Sequence, residues 1–177
     1  MKKIIYFLIV LLLISGGVML ANEVLLNRPV KAKIKADPRN EGIALGAHYS
    51  SYVVPTALVL NLTGIEGSHS QLDVFRTVLQ ASQALKDQNF KEVFLAFKGA
   101  KKFKIPGAYF KELGETYDSQ NPLYTVRTFP EKVLNLDGSS PYGKLEGGVF
   151  GVFAGGMEQF KDFSQKWYGS AFTNPAE

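Results

Sequence analysis

The feature that most constrains this chain is an uncharged run of seventeen residues near its N-terminus, Ile4 to Leu20 (IIYFLIVLLLISGGVML). A helix rises about 1.5 Å per residue, so this run, extended by Ala21, can just cross a hydrocarbon core of about 30 Å. A water-soluble domain does not leave so large an apolar surface exposed. The sequence therefore predicts a lipid bilayer as one partner of the protein, contacted through Ile4 to Leu20.

Two interpretations of residues 1–21 stay open. The segment is either a permanent transmembrane anchor or a secretory signal, with Lys2 and Lys3 as its charged start and Ser15-Gly16-Gly17 as its cleavage site. The anchor is favoured because apolar residues continue through Leu20, where a cleaved signal would already have become polar. Cleavage would instead release a secreted or periplasmic protein.

The charges that flank the apolar run bear on its orientation, because the cytoplasmic flank of a membrane helix is rich in Lys and Arg. Two lysines precede the run, and five basic residues follow it: Arg28, Lys31, Lys33, Lys35 and Arg39. The two lysines touch the run directly, as they do in a signal-anchor. We therefore expect a single-pass protein whose soluble domain lies outside the cytoplasm.

The composition excludes several classes of function. Apart from Lys2 and Lys3, the chain has 18 Lys and Arg against 16 Asp and Glu, so it lacks the basic surplus typical of nucleic-acid binding. It contains no cysteine, which excludes thiol catalysis, disulfides and cysteine metal sites. Neither a dinucleotide-binding motif nor a P-loop is present, and we expect no cofactor and no nucleic-acid partner.

Residues 22–41 predict a tether, because they contain Pro29 and Pro38, several lysines and few large apolar side chains. On this interpretation a fragment that begins near Asn40 folds on its own. Residues 42–169 then form a single domain, and residues 170–177 form a frayed tail.

The pattern of the domain predicts an α+β fold, a mixed sheet with about three packing helices preceded by one N-terminal transmembrane or signal helix. The predicted order is β-α-β-β-α-β-β-α, with residues 42–51 as a candidate edge strand. The strands are placed at Thr56–Leu62, Glu92–Lys98, Lys101–Ile105, Leu123–Phe129 and Val149–Phe153, and the helices at Ser68–Gln88, Pro106–Tyr117 and Met157–Trp167.

One polar group has the spacing of a chemical site. His69 and Asp73 are four residues apart on the first predicted helix, close to Glu66, so they could act as metal ligands or as a base and its orienting group. The simpler interpretation is a capped helix start, in which Ser68 and Gln71 form a capping box. Since no G-x-S-x-G nucleophile motif occurs, we expect a non-enzymatic domain, with an enzyme built on these three residues as the alternative.

A second group is basic. Lys98, Lys101, Lys102 and Lys104 surround the predicted turn at Gly99-Ala100 with no acidic neighbour. They either protect an exposed strand edge from aggregation or bind anionic lipid headgroups or an acidic protein. Taken together, the sequence predicts a membrane-tethered binding module whose partner is a protein or a component of the cell envelope.

Overall fold

The computed structural model, which describes residues 2–146 and 148–169, has an α+β fold and confirms the predicted fold class. Its described part contains one sheet of four strands in the order β1-β2-β3-β4. The strands are β1 (Ile43–Ser50), β2 (Val54–Ile65), β3 (Glu92–Phe97) and β4 (Ala100–Pro106). The sheet is mixed, because β2 and β3 are parallel while the two outer pairs are antiparallel.

Six α-helices accompany the sheet in the described residues: α1 (Lys2–Asn22), α2 (Arg28–Lys35), α3 (Gln71–Ala84), α4 (Gly107–Glu115), α5 (Pro122–Thr128) and α6 (Val149–Tyr168). A π-helical turn, Glu23–Asn27, joins α1 to α2. These three segments form one continuous helix of 34 residues, Lys2–Lys35, which we call the N-terminal helix.

The core lies on one face of the sheet. Ala47, Leu60, Leu95 and Phe103 lie opposite one another across the four strands, and all are buried. Phe163 of α6 packs on this face, with its ring centroid 5.4 Å from that of Phe103. Side chains from α3 and α4 complete the same apolar cluster, so helices cover this face of the sheet.

The first part of the N-terminal helix is apolar and exposed. From Ile4 to Ile14 every side chain is large and apolar, and each is between 49% and 71% exposed. This helix is long and apolar enough to span a membrane or to serve as a signal sequence. That finding agrees with both interpretations of residues 1–21.

The structure contradicts the prediction of a tether at residues 22–41. Leu26, Val30 and Ile34 recur at four-residue steps on one face of the N-terminal helix, and all three are buried in the core. Pro29 does not break the helix because the π-helical turn has already widened it there: the N–H of Arg28 bonds to the carbonyl of Glu23, five residues back. The exposed apolar part of the N-terminal helix therefore continues into the domain without a break.

Two of the predicted strands are helices. The segment Leu123–Phe129 lies in α5 and the 3₁₀ turn after it, because Asn121 caps the helix by accepting the N–H of Leu123 at 2.9 Å. The segment Val149–Phe153 is the first part of α6. Gly156 lets α6 pack closely on α5, since a Cβ there would lie 2.9 Å from the carbonyl oxygen of Arg127. The frayed tail predicted at residues 170–177 lies outside the described residues.

Candidate functional site

Two asparagines hold the N-terminal helix against the outer edge of β1. The side-chain oxygen of Asn22 accepts the N–H of Tyr49 at 2.7 Å, and its amide donates to the carbonyl of Tyr52 at 2.8 Å. The side-chain oxygen of Asn27 accepts the N–H of Ala47 at 3.2 Å. An edge strand normally presents unpaired backbone groups to solvent. Here the helix supplies side-chain partners for them, and so it fixes the position of the domain at the end of α1.

A buried polar network fastens the segment after α2 to α3. Asn40 is 3% exposed; its amide donates to the carbonyl of Ile34 at 2.9 Å and to the side-chain oxygen of Gln80 at 2.6 Å. Its own oxygen accepts a bond from Arg76 at 3.1 Å, and Gln80 donates to Asp37 at 3.0 Å. Because these amides have partners on both their donor and acceptor sides, the network gives this connection a single geometry.

Hydrogen bonds from neighbouring side chains lower the pKa values of two carboxyl groups in this region. A hydrogen bond from Ser70 is the main reason that the pKa of Asp73 is lowered to about 2, and Arg76 adds to the effect while partial burial opposes it. A hydrogen bond from Arg39 is the main cause that holds the pKa of Asp37 well below its usual range. Both groups are therefore ionised and paired at neutral pH.

An apolar groove lies between α3, α4 and α5, with a volume of about 350 Å³. Leu72 and Leu123 line it and are 42% and 51% exposed, so large apolar side chains are in contact with solvent there. Arg39 and Arg76 also line the groove, but Asp37 and Asp73 pair with them at 2.7 Å each. The lining is thus mostly apolar, and its two arginines are already paired with carboxylates.

The three residues of the predicted chemical site have separate partners. His69 is half-buried, and its Nε2 lies 2.8 Å from the carbonyl oxygen of Glu41. Asp73 instead bonds to Ser70 and Arg76, and the backbone N–H of Glu66 bonds to the carbonyl of Gly42. Within residues 2–146 and 148–169, no group of three or more His, Asp or Glu side chains could hold a metal ion.

The capping box is present, but it begins two residues later than predicted. The hydroxyl of Ser70 accepts the N–H of Asp73, and the Asp73 carboxylate accepts the N–H of Ser70 at 2.8 Å. Ser68 therefore lies outside the helix, which begins at Gln71. Asp73 is used for capping, which is the simpler of the two interpretations of this sequence.

The four lysines surround the β3–β4 turn and differ in their contacts. Lys98 and Lys102 are exposed. Lys101 donates to the Ser50 hydroxyl at 2.7 Å, with its ammonium 3.8 Å from the centre of the Phe94 ring, and Lys104 pairs with Glu92 at 3.2 Å. The ammonium of Lys98 lies 5.4 Å from the centre of the Phe97 ring, so three of the four charges have a contact within the domain. An anionic or acidic partner for this cluster stays a prediction.

Backbone bonds also cover part of the edge of β4. The N–H and carbonyl of Lys104 exchange hydrogen bonds with Leu134 at 2.9 and 2.8 Å. The chain after α5 thus pairs with this edge strand at one position and shields that part of it, while protection of the edge by lysine charge stays a prediction.

Comparison of the chain with protein-family models, with curated proteins and with solved structures finds no match. Inferences about function therefore depend on the geometry described above. Sequence reasoning missed the groove and the asparagine contacts to β1. The packing of the N-terminal helix on the domain could have been predicted, because the four-residue spacing of Leu26, Val30 and Ile34 indicates a helical face that is buried against another element.

Proposed function

We propose that this protein is a single-pass membrane protein whose α+β domain lies outside the cytoplasm and binds a protein or an envelope component without catalysing a reaction. The observation that carries the proposal is the change in exposure along one unbroken helix. Its first part exposes every large apolar side chain from Ile4 to Ile14, whereas Leu26, Val30 and Ile34 are buried in the core. A bilayer around the first part accounts for this change.

The apolar surface beyond the cleavage site favours an anchor over a signal. Met19, Leu20 and Leu25 are 67%, 61% and 47% exposed, and cleavage after Gly17 would leave all three in water. If the helix stays in the bilayer, the stretch from Ile4 to Ala21 is about 27 Å long and comes close to the hydrocarbon thickness, while Leu25 lies beyond it in the interfacial layer. An anchor therefore covers apolar surface that a cleaved signal would leave uncovered.

The charge distribution supports an extracytoplasmic domain. Lys2 and Lys3 directly precede the apolar run, which favours a cytoplasmic N-terminus. Basic residues after the run belong to a folded domain, and large domains cross the membrane largely regardless of their charge. Arg39, for example, is paired with Asp37 at 2.7 Å.

The groove between α3, α4 and α5 is the surface that we assign to the partner. Binding pockets are typically concave and mostly apolar, with a few polar groups that set specificity, and this groove has that character. Since Asp37 and Asp73 balance its two arginines, an uncharged apolar segment of a partner protein would fit it better than an anion would.

Extraction of membranes at alkaline pH tests the anchor. The full chain should stay in the membrane pellet with an intact N-terminus, whereas a protein lacking residues 2–20 should be soluble. Recovery of the native protein in solution with Val18 at its N-terminus would show that the segment is a cleaved signal.

Thiol labelling tests the side of the membrane. Because the chain has no cysteine, a Leu136→Cys variant carries one exposed thiol, and Leu136 is 46% exposed. A membrane-impermeant maleimide should label it in intact cells or spheroplasts. Labelling only after the cells are lysed would place the domain in the cytoplasm.

Site-specific photocrosslinking tests the groove. A photoreactive amino acid at Leu123 should give a discrete crosslinked product in native membranes, and a Leu72→Glu substitution should remove that product. The matched control carries the photoreactive group at Leu136, which is about as exposed but lies outside the groove. The same product from both positions would argue against the groove as the binding surface.

A further inference from the structure

The tip of the β1–β2 hairpin is apolar and unusually exposed. Residues 51–56 are all exposed, and among them Tyr52, Val53 and Val54 are 49%, 62% and 41% exposed. The turn also places Ser51 and Tyr52 at φ values of +51° and +62°, a region that glycine and asparagine occupy far more readily. The Tyr52 ring stacks on that of His48, with 4.5 Å between their centroids, and still leaves half of its surface exposed. A hairpin that only had to reverse the chain in water would use smaller and more polar residues than Val53 and Val54 here.

The tip lies beside the end of the membrane segment. Asn22, the last residue of α1, bonds to the backbone just before the turn, at Tyr49, and within the turn, at Tyr52. On the N-terminal helix itself, Val24 and Leu25 are still 44% and 47% exposed. Exposed apolar side chains on the N-terminal helix thus continue past Asn22, the residue that contacts the hairpin.

Both features have a common explanation in the bilayer. We propose that the tip Tyr52–Val54 enters the interfacial layer of the membrane that α1 crosses, and so gives the domain a second lipid contact. The tip carries no charge, and tyrosine is enriched at membrane interfaces because its ring is apolar while its hydroxyl reaches water. This inference rests on the anchor proposed above, because the anchor is what brings the hairpin to the lipid surface.

The sheet provides an internal control at its opposite end. The β3–β4 turn follows Phe97, which is level with Leu62 and therefore with Leu45 of β1. Leu45 and Tyr49 are four residues apart on that strand, which corresponds to about 13 Å. Ala100 pairs with Phe97 at this end and is exposed; it is the long side chain of its neighbour Lys101 that reaches back to the Ser50 hydroxyl. Ala100 itself should therefore stay in water while the hairpin tip contacts lipid.

Single-cysteine labelling of the full chain tests the proposal. Three variants, Val53→Cys, Ala100→Cys and Leu12→Cys, are each labelled with an environment-sensitive fluorophore and reconstituted in phosphatidylcholine vesicles. These lipids carry no net charge, so the nearby lysines do not attract the control site to the surface. Lipids with a nitroxide at a shallow or a deep position then serve as quenchers. The emission of the single, buried Trp167 reports whether each variant is folded.

The expected pattern distinguishes the hairpin from the anchor. The emission of the fluorophore at Leu12→Cys should be blue-shifted and quenched most by the deep nitroxide. The emission at Val53→Cys should be blue-shifted and quenched most by the shallow nitroxide. The emission at Ala100→Cys should be neither shifted nor quenched. If Leu12 is quenched while Val53 behaves like Ala100, the hairpin proposal fails and the anchor stands. If Leu12 is not quenched, the anchor itself fails.

Two further results guard against artefacts. Equal quenching at Val53 and Ala100 would overturn the proposal, because the fluorophore and not the hairpin would then be the cause. Should the Val53 variant fail to fold, Val54→Cys gives the same test from the neighbouring position, and the same shallow quenching is expected there.

Discussion

Removal of α2 should unfold the domain, although the sequence alone suggested that a fragment beginning near Asn40 would be stable. The informative comparison is between a fragment of residues 21–177 and a fragment of residues 36–177. Both lack the apolar stretch that would enter the bilayer, and both keep Asp37 and Asn40 with their bonds to α3. They differ in the N-terminal helix from Ala21 to Lys35.

The size of the effect follows from the burial of three side chains. Leu26 and Val30 are fully buried and Ile34 is 5% exposed. Burial of one such side chain contributes about 1.5–3 kcal/mol, so their loss should remove about 5–9 kcal/mol. A domain of this kind has a total free energy of unfolding of about 5–15 kcal/mol. The shorter fragment should therefore be unfolded or close to its unfolding midpoint in buffer.

Urea unfolding followed by tryptophan fluorescence measures this difference, because Trp167 is the only tryptophan and is 1% exposed. Within the longer fragment, Ile34→Ala should lower the free energy of unfolding by about 2–5 kcal/mol. Its neighbour Lys35 is exposed, so Lys35→Ala should leave the midpoint nearly unchanged. Equal midpoints for the two fragments would refute the argument and restore the tether.

Three further changes should alter the stability of the domain. Ser70→Ala should lower the free energy of unfolding by about 0.5–2 kcal/mol, while Ser68→Ala should have little effect; the reverse order in thermal or urea unfolding would contradict the observed cap. The folded-state pKa values of Asp37 and Asp73 lie below the ordinary value of 3.8, so the stabilisation that they give is present above that pH and should be lost as the pH falls from about 4 toward 2. An Asp73→Asn variant should show a shallower loss in this window, and an unchanged slope would mean that Asp73 contributes nothing. Lys98→Asn should raise the free energy of unfolding by up to about 1 kcal/mol, because Lys98 has a φ of +48° that asparagine tolerates better, whereas Lys102→Asn on the strand should give no gain.

The strand–helix–strand unit was predictable because its pattern is unambiguous. The continuous apolar runs of β2 and β3 indicate central strands of a sheet, and the three- and four-residue spacing of α3 indicates one buried helical face. The β3–β4 hairpin was equally clear, since Phe103 and Ile105 alternate with outward lysines, and both are buried as predicted.

The errors came from short segments whose periodicity does not separate helix from strand. Thr125, Val126 and Thr128 favour a strand, but Asn121-Pro122 is a helix start, with the asparagine as cap and the proline in the first turn. Local propensity could not decide between them. The contact between Arg127 of α5 and Gly156 of α6 joins residues that are far apart in the sequence, so no local sequence pattern predicts it.

The contacts of the predicted chemical site could not be inferred from the local sequence either. The spacing of His69 and Asp73 placed them on one stretch of chain, but their partners come from elsewhere: Glu41 for the histidine, and Ser70 and Arg76 for the aspartate. Nor could the groove be foreseen, because three helices from separate parts of the chain form it.

If residues 4–21 are the anchor proposed above, the unbroken helix makes the domain turn together with it. In a helix one residue corresponds to a rotation of about 100° and a rise of about 1.5 Å. One residue inserted within α1 would therefore turn the part of the anchor before the insertion by about 100° relative to the domain. Four inserted residues would restore the azimuth to within about 40° while lengthening the span by about 6 Å. A flexible linker would absorb both changes, whereas a continuous helix transmits them. The direction in which the groove faces around the membrane normal therefore depends on helical phase as well as on length.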